Sequence, residues 1–165
     1  MTLSKHSYAL GLVAALFTLV ADQASKWWVV SGLLHPERPF IEVFSFFRIV
    51  MVWNRGISFG MFSALNQPIM LVGISLVVVG ILLVWLHKNT SPLLALALGL
   101  VIGGAVGNMW DRLHYGAVVD FLDFSLGEYH WPAFNIADSA IFIGVVLLSV
   151  HSMFIDTKSN AKDTA

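Results

Sequence analysis

Asp120 and Asp138 are two acids that flank a short segment between long apolar stretches, and a count of membrane crossings puts them at the same face of a bilayer. A carboxylate near hydrocarbon costs at least roughly 2.5 kcal/mol unless it is paired, solvated or neutralised, so such acids are functional candidates by default. Two carboxyls held close together cannot both ionise easily. One keeps a proton while the other acts as a base, which equips such a pair for acid–base chemistry or for proton relay.

Other polar residues collect at the same face. Asp22 and Lys26 have the acid-first i, i+4 spacing of a helical ion pair, a role more architectural than catalytic. Asn108 and Arg112 repeat that spacing, so both can point into a bundle at one level. Asn54 and Arg55 lie in a loop, where Asn54 could hydrogen-bond an extended substrate. Arg55 is either a lipid-phosphate ligand or a solvated interface cation. Arg112 could hold Asp111, Asp120 or a substrate carbonyl, and Asn108 could donate to backbone or steady the acid pair.

The elements that position these residues are membrane spans. The 165-residue chain is 58% hydrophobic and 12% charged, with a mean hydropathy of +0.80. That is more apolar surface than a soluble core of this size can hide. Residues 68–86 and 92–110 lack formal charge, and each is near the ~20 residues needed to cross hydrocarbon. The five residues between them make the two spans antiparallel neighbours. A fourth span is expected over 136–155, with Asp138 at its mouth.

The first apolar run follows Lys5 and resembles a secretory leader. Leu19-Val20-Ala21 is a poor cleavage site, however, and apolar sequence resumes at Trp27, so one retained helix is expected over 8–34. Four spans put both termini and Lys88 on one side and the loops 35–67 and 111–134 on the other. The whole of 1–165 then reads as one all-α membrane domain. Discounting Lys26 and Arg112 as embedded, the basic residues lean toward cytoplasmic termini.

Residues 40–53 are rich in β-branched and aromatic side chains and predict two short strands. Such a ribbon would have to pack on the bundle or the membrane surface. Residues 54–62 mix turn formers with apolar anchors and predict a loop and a short interfacial helix.

Five motifs in register resemble the signal peptidase II family of bacterial lipoprotein signal peptidases. They are Asp22-Gln23-x-x-Lys26, Asn54-x-Gly56-x-Ser58-Phe59-Gly60, Gly103-Gly104-Ala105-x-Gly107-Asn108-x-x-Asp111-Arg112, Val118-Val119-Asp120-Phe121 and Phe134-Asn135-x-Ala137-Asp138. The resemblance spans about Asp22 to Ile143. One mild departure is Trp131-Pro132, where Phe-Pro is common in the family. It implies four transmembrane helices with a small extracytoplasmic β-cradle and a short surface helix. The implied enzyme is an inner-membrane aspartic endopeptidase that cleaves diacylglyceryl-modified prolipoproteins just before the lipidated cysteine. Asp120 and Asp138 are the implied dyad, with neither assigned as base or acid. Asn54, Gly56, Asn108, Arg112, Asn135, Asp22 and Lys26 are the implied site-shaping residues. The active site is expected toward the extracytoplasmic face, in a monomer among membrane lipids, with the first loop as a lid over bound substrate.

Local sequence leaves plainer readings open. Asp138 follows Asn135 by three residues at a helix start, the spacing of a capping box with Asp in place of Glu. Asp123 rivals Asp120, and extended backbone would turn the two to opposite faces. Gly103, Gly104 and Gly107 lie inside an apolar span and fit close helix packing better than a phosphate loop. With no cysteine and no ligand spacing among six histidines, neither a thiolate nucleophile nor a metal site or other cofactor is expected. A net charge of −1 with no basic stripe argues against nucleic acid. The competing class is a small proton-coupled transporter or channel. A relay should spread ionisable groups across the membrane, whereas here they crowd one end.

Overall fold

The computed structural model describes residues 2–34, 39–56, 67–88 and 91–163. Four helices carry most of the chain: α1 (Thr2–Trp28), α2 (Gln67–Lys88), α3 (Pro92–Tyr115) and α4 (Ile136–Asp163). All four contain a segment long and apolar enough to cross a membrane. Large apolar side chains such as Phe17, Ile69, Ile81 and Phe142 stand exposed on α1, α2 and α4, which suits hydrocarbon rather than water. The first helix continues into a π-helical turn, Val29–Leu33, before the chain becomes extended at Leu34.

The buried element is α3, packed against α1, α2 and α4. Ser91 caps its start by accepting from Leu94 N, and Pro92 occupies the first turn, where its missing N–H is no loss. Gly116, at φ 69°, ends it in the left-handed conformation and donates to the Arg112 carbonyl at 3.1 Å. The helix therefore continues one turn beyond residue 110 and carries Asp111 and Arg112.

The glycines of α3 do what the apolar context suggested. A Cβ on Gly99 or Gly103 would strike the carbonyl oxygen of Gly11 or Ala15 on α1, and one on Gly104 would strike that of Ala137 on α4. Without side chains there, backbones meet directly, which is how helices gain packing energy in lipid.

The expected ribbon forms as β1 (Phe40–Phe44) and β2 (Phe47–Asn54). Its partner is a segment read only as loop: β3 (Val118–Leu126) pairs antiparallel with β2, and β4 (Tyr129–His130) completes a four-stranded sheet in the order β1-β2-β3-β4. Val29, Leu34 and Phe121 form a second small core with Ile41, Ile49 and Ile136, so the sheet packs on the end of α1 and the start of α4. Of the loop and short surface helix expected over 54–62, residues 57–62 lie outside the described residues.

Candidate active site

Asp120 sits on β3 and is 2% exposed. Val52 and Asn54 of β2 face Asp120 and Val118 of β3, which makes Asn54 and Asp120 diagonal neighbours on one face of the sheet. Asn54 Nδ2 donates to Asp120 Oδ2 at 3.0 Å. Gly56 fixes that orientation. Its N–H donates to Asn54 Oδ1 at 3.0 Å, and its φ of 115° is a conformation that glycine tolerates and side-chain residues avoid.

Asp138 stands in the first turn of α4. Phe134 exchanges backbone hydrogen bonds with Leu122 of β3, which carries the start of α4 to the strand holding Asp120. Asn135 then links the two acids. Its Nδ2 donates to Asp120 Oδ1 at 2.7 Å, and its Oδ1 accepts from Asp138 N at 2.9 Å. Asp138 Oδ2 accepts from Asn135 N at 3.3 Å, closing the reciprocal cap that the spacing suggested. Capping leaves the other oxygen available to the site: Asp138 Oδ1 accepts from Asn108 Nδ2 at 2.7 Å.

Beneath the acids lies a buried ionic layer. Lys26 Nζ donates to Asp22 Oδ2 and Asp111 Oδ2, each at 2.8 Å, and to Asn108 Oδ1 at 3.1 Å, using all three ammonium protons. Asp22 Oδ1 accepts from Ala137 N, and Asp111 Oδ2 also accepts from Val119 N at 3.1 Å. Gln23 Nε2 reaches Asp22, Asp111 and the Gly107 carbonyl. Lys26 thus fixes the oxygen of Asn108 and turns its amide toward Asp138. Gly107 leaves room for Asp22, since a Cβ there would come within 2.5 Å of Asp22 Oδ2.

Arg112 Nη1 donates to the Asn108 carbonyl at 3.2 Å, while its buried Nε has no protein partner. The guanidinium interacts electrostatically with Asp138, Asp111 and Asp120. All nine acids and site-shaping residues expected from the sequence therefore fall in one cluster or touch a member of it. Asp111 and Gln23 are the additions. Both stood inside quoted motifs, but their part in the ionic layer depends on how α1 packs on α3. Asp123, the rival acid, is engaged elsewhere: its Oδ2 accepts from Arg48 at 2.7 Å and its Oδ1 pairs with His130 at 3.1 Å.

The electrostatics separate the two β3 acids. Burial pushes the Asp120 carboxyl up to about 6, and the charge of Asp138 adds to the rise against hydrogen bonds from Asn54 and Asn135. For Asp123 burial also pushes upward, but the hydrogen bonds from Arg48 and His130 outweigh it and hold the carboxyl below its ordinary range. Of the two, Asp120 is the one suited to hold a proton near neutrality. Among the described residues no group of His, Asp or Glu could hold a metal ion.

Comparison with known proteins gives the family. Residues 14–154 match the family described as signal peptidase (SPase) II. The chain is 41% identical over 150 residues to a lipoprotein signal peptidase of Rhodopseudomonas palustris (strain TIE-1), covering 87% of this chain and 92% of that one. It is 43% identical over 164 residues to that of Methylorubrum extorquens (strain PA1), covering 94% and 92%. A bacterial membrane enzyme solved by the in meso method at 2.3 Å superposes with a TM-score of 0.76 at 28% identity, over 90% of each chain. Since the matched region takes in every helix and strand that builds the acid cluster, the chain belongs to the signal peptidase II family.

Proposed function

We propose that Asp120 and Asp138 form the catalytic dyad with which this membrane peptidase removes the signal peptide from lipoprotein precursors. One observation carries the reading: the Asn135 side chain is hydrogen-bonded to the Asp120 carboxyl and to the backbone N–H of Asp138, while burial first, and then the charge of Asp138, raise the proton affinity of Asp120. In hydrolysis the ionised carboxyl takes a proton from water as the water oxygen attacks the scissile carbonyl carbon. The protonated carboxyl hydrogen-bonds the carbonyl oxygen, and a proton reaches the amide nitrogen as the C–N bond breaks. Neither carboxyl is assigned to one of these duties alone. Bound substrate excludes water and raises the proton affinity of Asp120 beyond its unliganded value.

The substrate is a diacylglyceryl-modified prolipoprotein, cut just before the lipidated cysteine and approaching laterally from lipid. Arg112 Nε and the amide of Asn54 are donors suited to a substrate carbonyl, while Lys26, Asp22 and Asn108 hold the frame. The sheet forms an extracytoplasmic cradle over the bundle, with both termini cytoplasmic and the first loop covering the bound chain. All of 1–165 serves as one monomeric domain in the bacterial inner membrane. This reading is supported by the concentration of ionisable groups at one end of the bundle, an arrangement that a transmembrane proton relay would not produce.

The test is cleavage of a synthetic lipidated precursor peptide by the purified full-length protein in bilayers. Wild type should release the signal peptide, and Asp120→Asn and Asp138→Asn should not. Full cleavage by both variants would reject the dyad.

A further inference from the structure

An apolar pocket of about 340 Å³ opens beside Asp138, walled by Trp131, Phe134 and Phe142. Its one hydroxyl, that of Ser139, is bound to the Asn135 carbonyl at 3.0 Å. The Asp138 carboxyl is the other polar group at its edge, so most N–H and C=O groups of a peptide segment lying there would find no partner. The volume holds the equivalent of about ten waters, far more than one aliphatic amino-acid side chain fills. Phe142, one turn beyond Asp138 on α4, is 71% exposed on the apolar outer surface, so the pocket is continuous with the lipid-facing side of the bundle.

The walls differ in how they are held. Phe134 is stacked on Phe124, which is stacked on Phe47, and its backbone is bridged to Leu122. Trp131 is fixed only through its backbone side of the structure: its N–H donates to the Phe124 carbonyl at 2.8 Å, and the preceding His130 is bonded to Asp123 and Arg48. Trp131 is 69% exposed and lines both this pocket and a second apolar hollow over Phe46, Leu126 and Tyr129. A large aromatic on an anchored backbone, with its ring uncovered, is a wall ready to pack on a ligand.

We propose that Trp131 is a specificity-determining residue: it bounds a subsite beside Asp138 that takes an acyl chain of the lipidated substrate and selects that chain by shape. The inference rests on the dyad reading only in taking Asp138 as the reacting end of the pocket. An acyl chain moving from bilayer to pocket stays in an apolar medium, so the hydrophobic effect adds nothing and discrimination comes from steric fit.

The test uses full-length protein in phosphatidylglycerol bilayers and one precursor peptide carrying either straight palmitoyl chains or chains ending in a bulky branched group. Wild type should disfavour the branched substrate by about tenfold, expressed in KM rather than kcat, the size of a modest overpacking clash. Trp131→Ala should reduce that ratio to near one, and Trp131→Phe, which keeps a ring at the site, should fall between. A palmitoyl analogue with a terminal photoreactive group should cross-link uncleaved to Trp131 or Phe142 in Asp138→Asn protein. An unchanged ratio in both Trp131 variants, cross-linking elsewhere, or a Trp131 effect that follows peptide side chains instead of acyl shape would overturn the assignment. Failure of the dyad is read separately, as cleavage by Asp138→Asn, and does not alter where the acyl group cross-links.

Discussion

Asp22 Oδ1 accepts a hydrogen bond from Ala137 N at 2.9 Å, so an acid of α1 satisfies a buried backbone donor that has no intrahelical partner in the first turn of α4, next to Asp138. The same carboxyl is paired with Lys26, which also holds Asp111 and the oxygen of Asn108. One ammonium group thereby sets the relative positions of α1, α3 and α4 around the dyad.

Lys26→Met should accordingly be among the most damaging single changes outside the dyad. It leaves Asp22 and Asp111, both fully buried, without the ammonium group that pairs with each at 2.8 Å. A loss of about 3–5 kcal/mol is expected. Thermal unfolding in detergent should show a large fall in Tm, with cleavage lost in parallel. An unchanged Tm would mean the ionic layer does not hold the helices.

Two substitutions should move the titration of Asp120 in opposite directions. Asn54 donates to the Asp120 carboxylate and favours its charged form, so Asn54→Ala should raise the pKa above about 6; Asp138→Asn removes a like charge and should lower it. Because the folded-state value lies above the ordinary 3.8, protonated Asp120 favours the fold. That contribution is present below pH 3.8 and is lost as pH rises through about 6. Infrared or carbon NMR titration of the labelled carboxyl checks both signs, and shifts in the same direction would contradict this electrostatic picture.

Helix packing offers a paired control. Gly103→Ala puts a methyl against the Ala15 carbonyl and should cost about 1–3 kcal/mol by forcing α1 from α3. Gly73→Ala on α2 meets nothing within 4 Å and should leave Tm unchanged or slightly raised. Equal effects of the two would show that the close approach is not a source of stability.

Much of this architecture was legible because its signals are local. Uninterrupted apolar runs marked the spans, and alternation with β-branched residues marked β1 and β2. The pairing of β2 with β3 was not legible: residues 118–126 join two helices, and nothing in them specifies a partner nearly 70 residues earlier. For the same reason pattern alone could not separate Asp120 from Asp123. That choice depends on Asn54 and Asn135 reaching one acid while Arg48 and His130 reach the other. The capping spacing of Asn135 and Asp138 was visible, but capping and catalysis looked like rivals. In the folded chain the cap uses Oδ2 and leaves Oδ1 to the site, so the same carboxyl can serve both.

The central claim is that Asp120 and Asp138 act as one unit. Single-turnover cleavage of a lipidated precursor by Asp120→Asn, Asp138→Asn and the double variant tests it most directly. Residues that work as a unit lose nearly everything with the first removal. Each single variant should therefore fall by about 10³-fold or more, and the double variant should be no slower than the singles. Losses that multiply in the double variant, or near-wild-type cleavage by either single variant with its fold intact, would contradict the account.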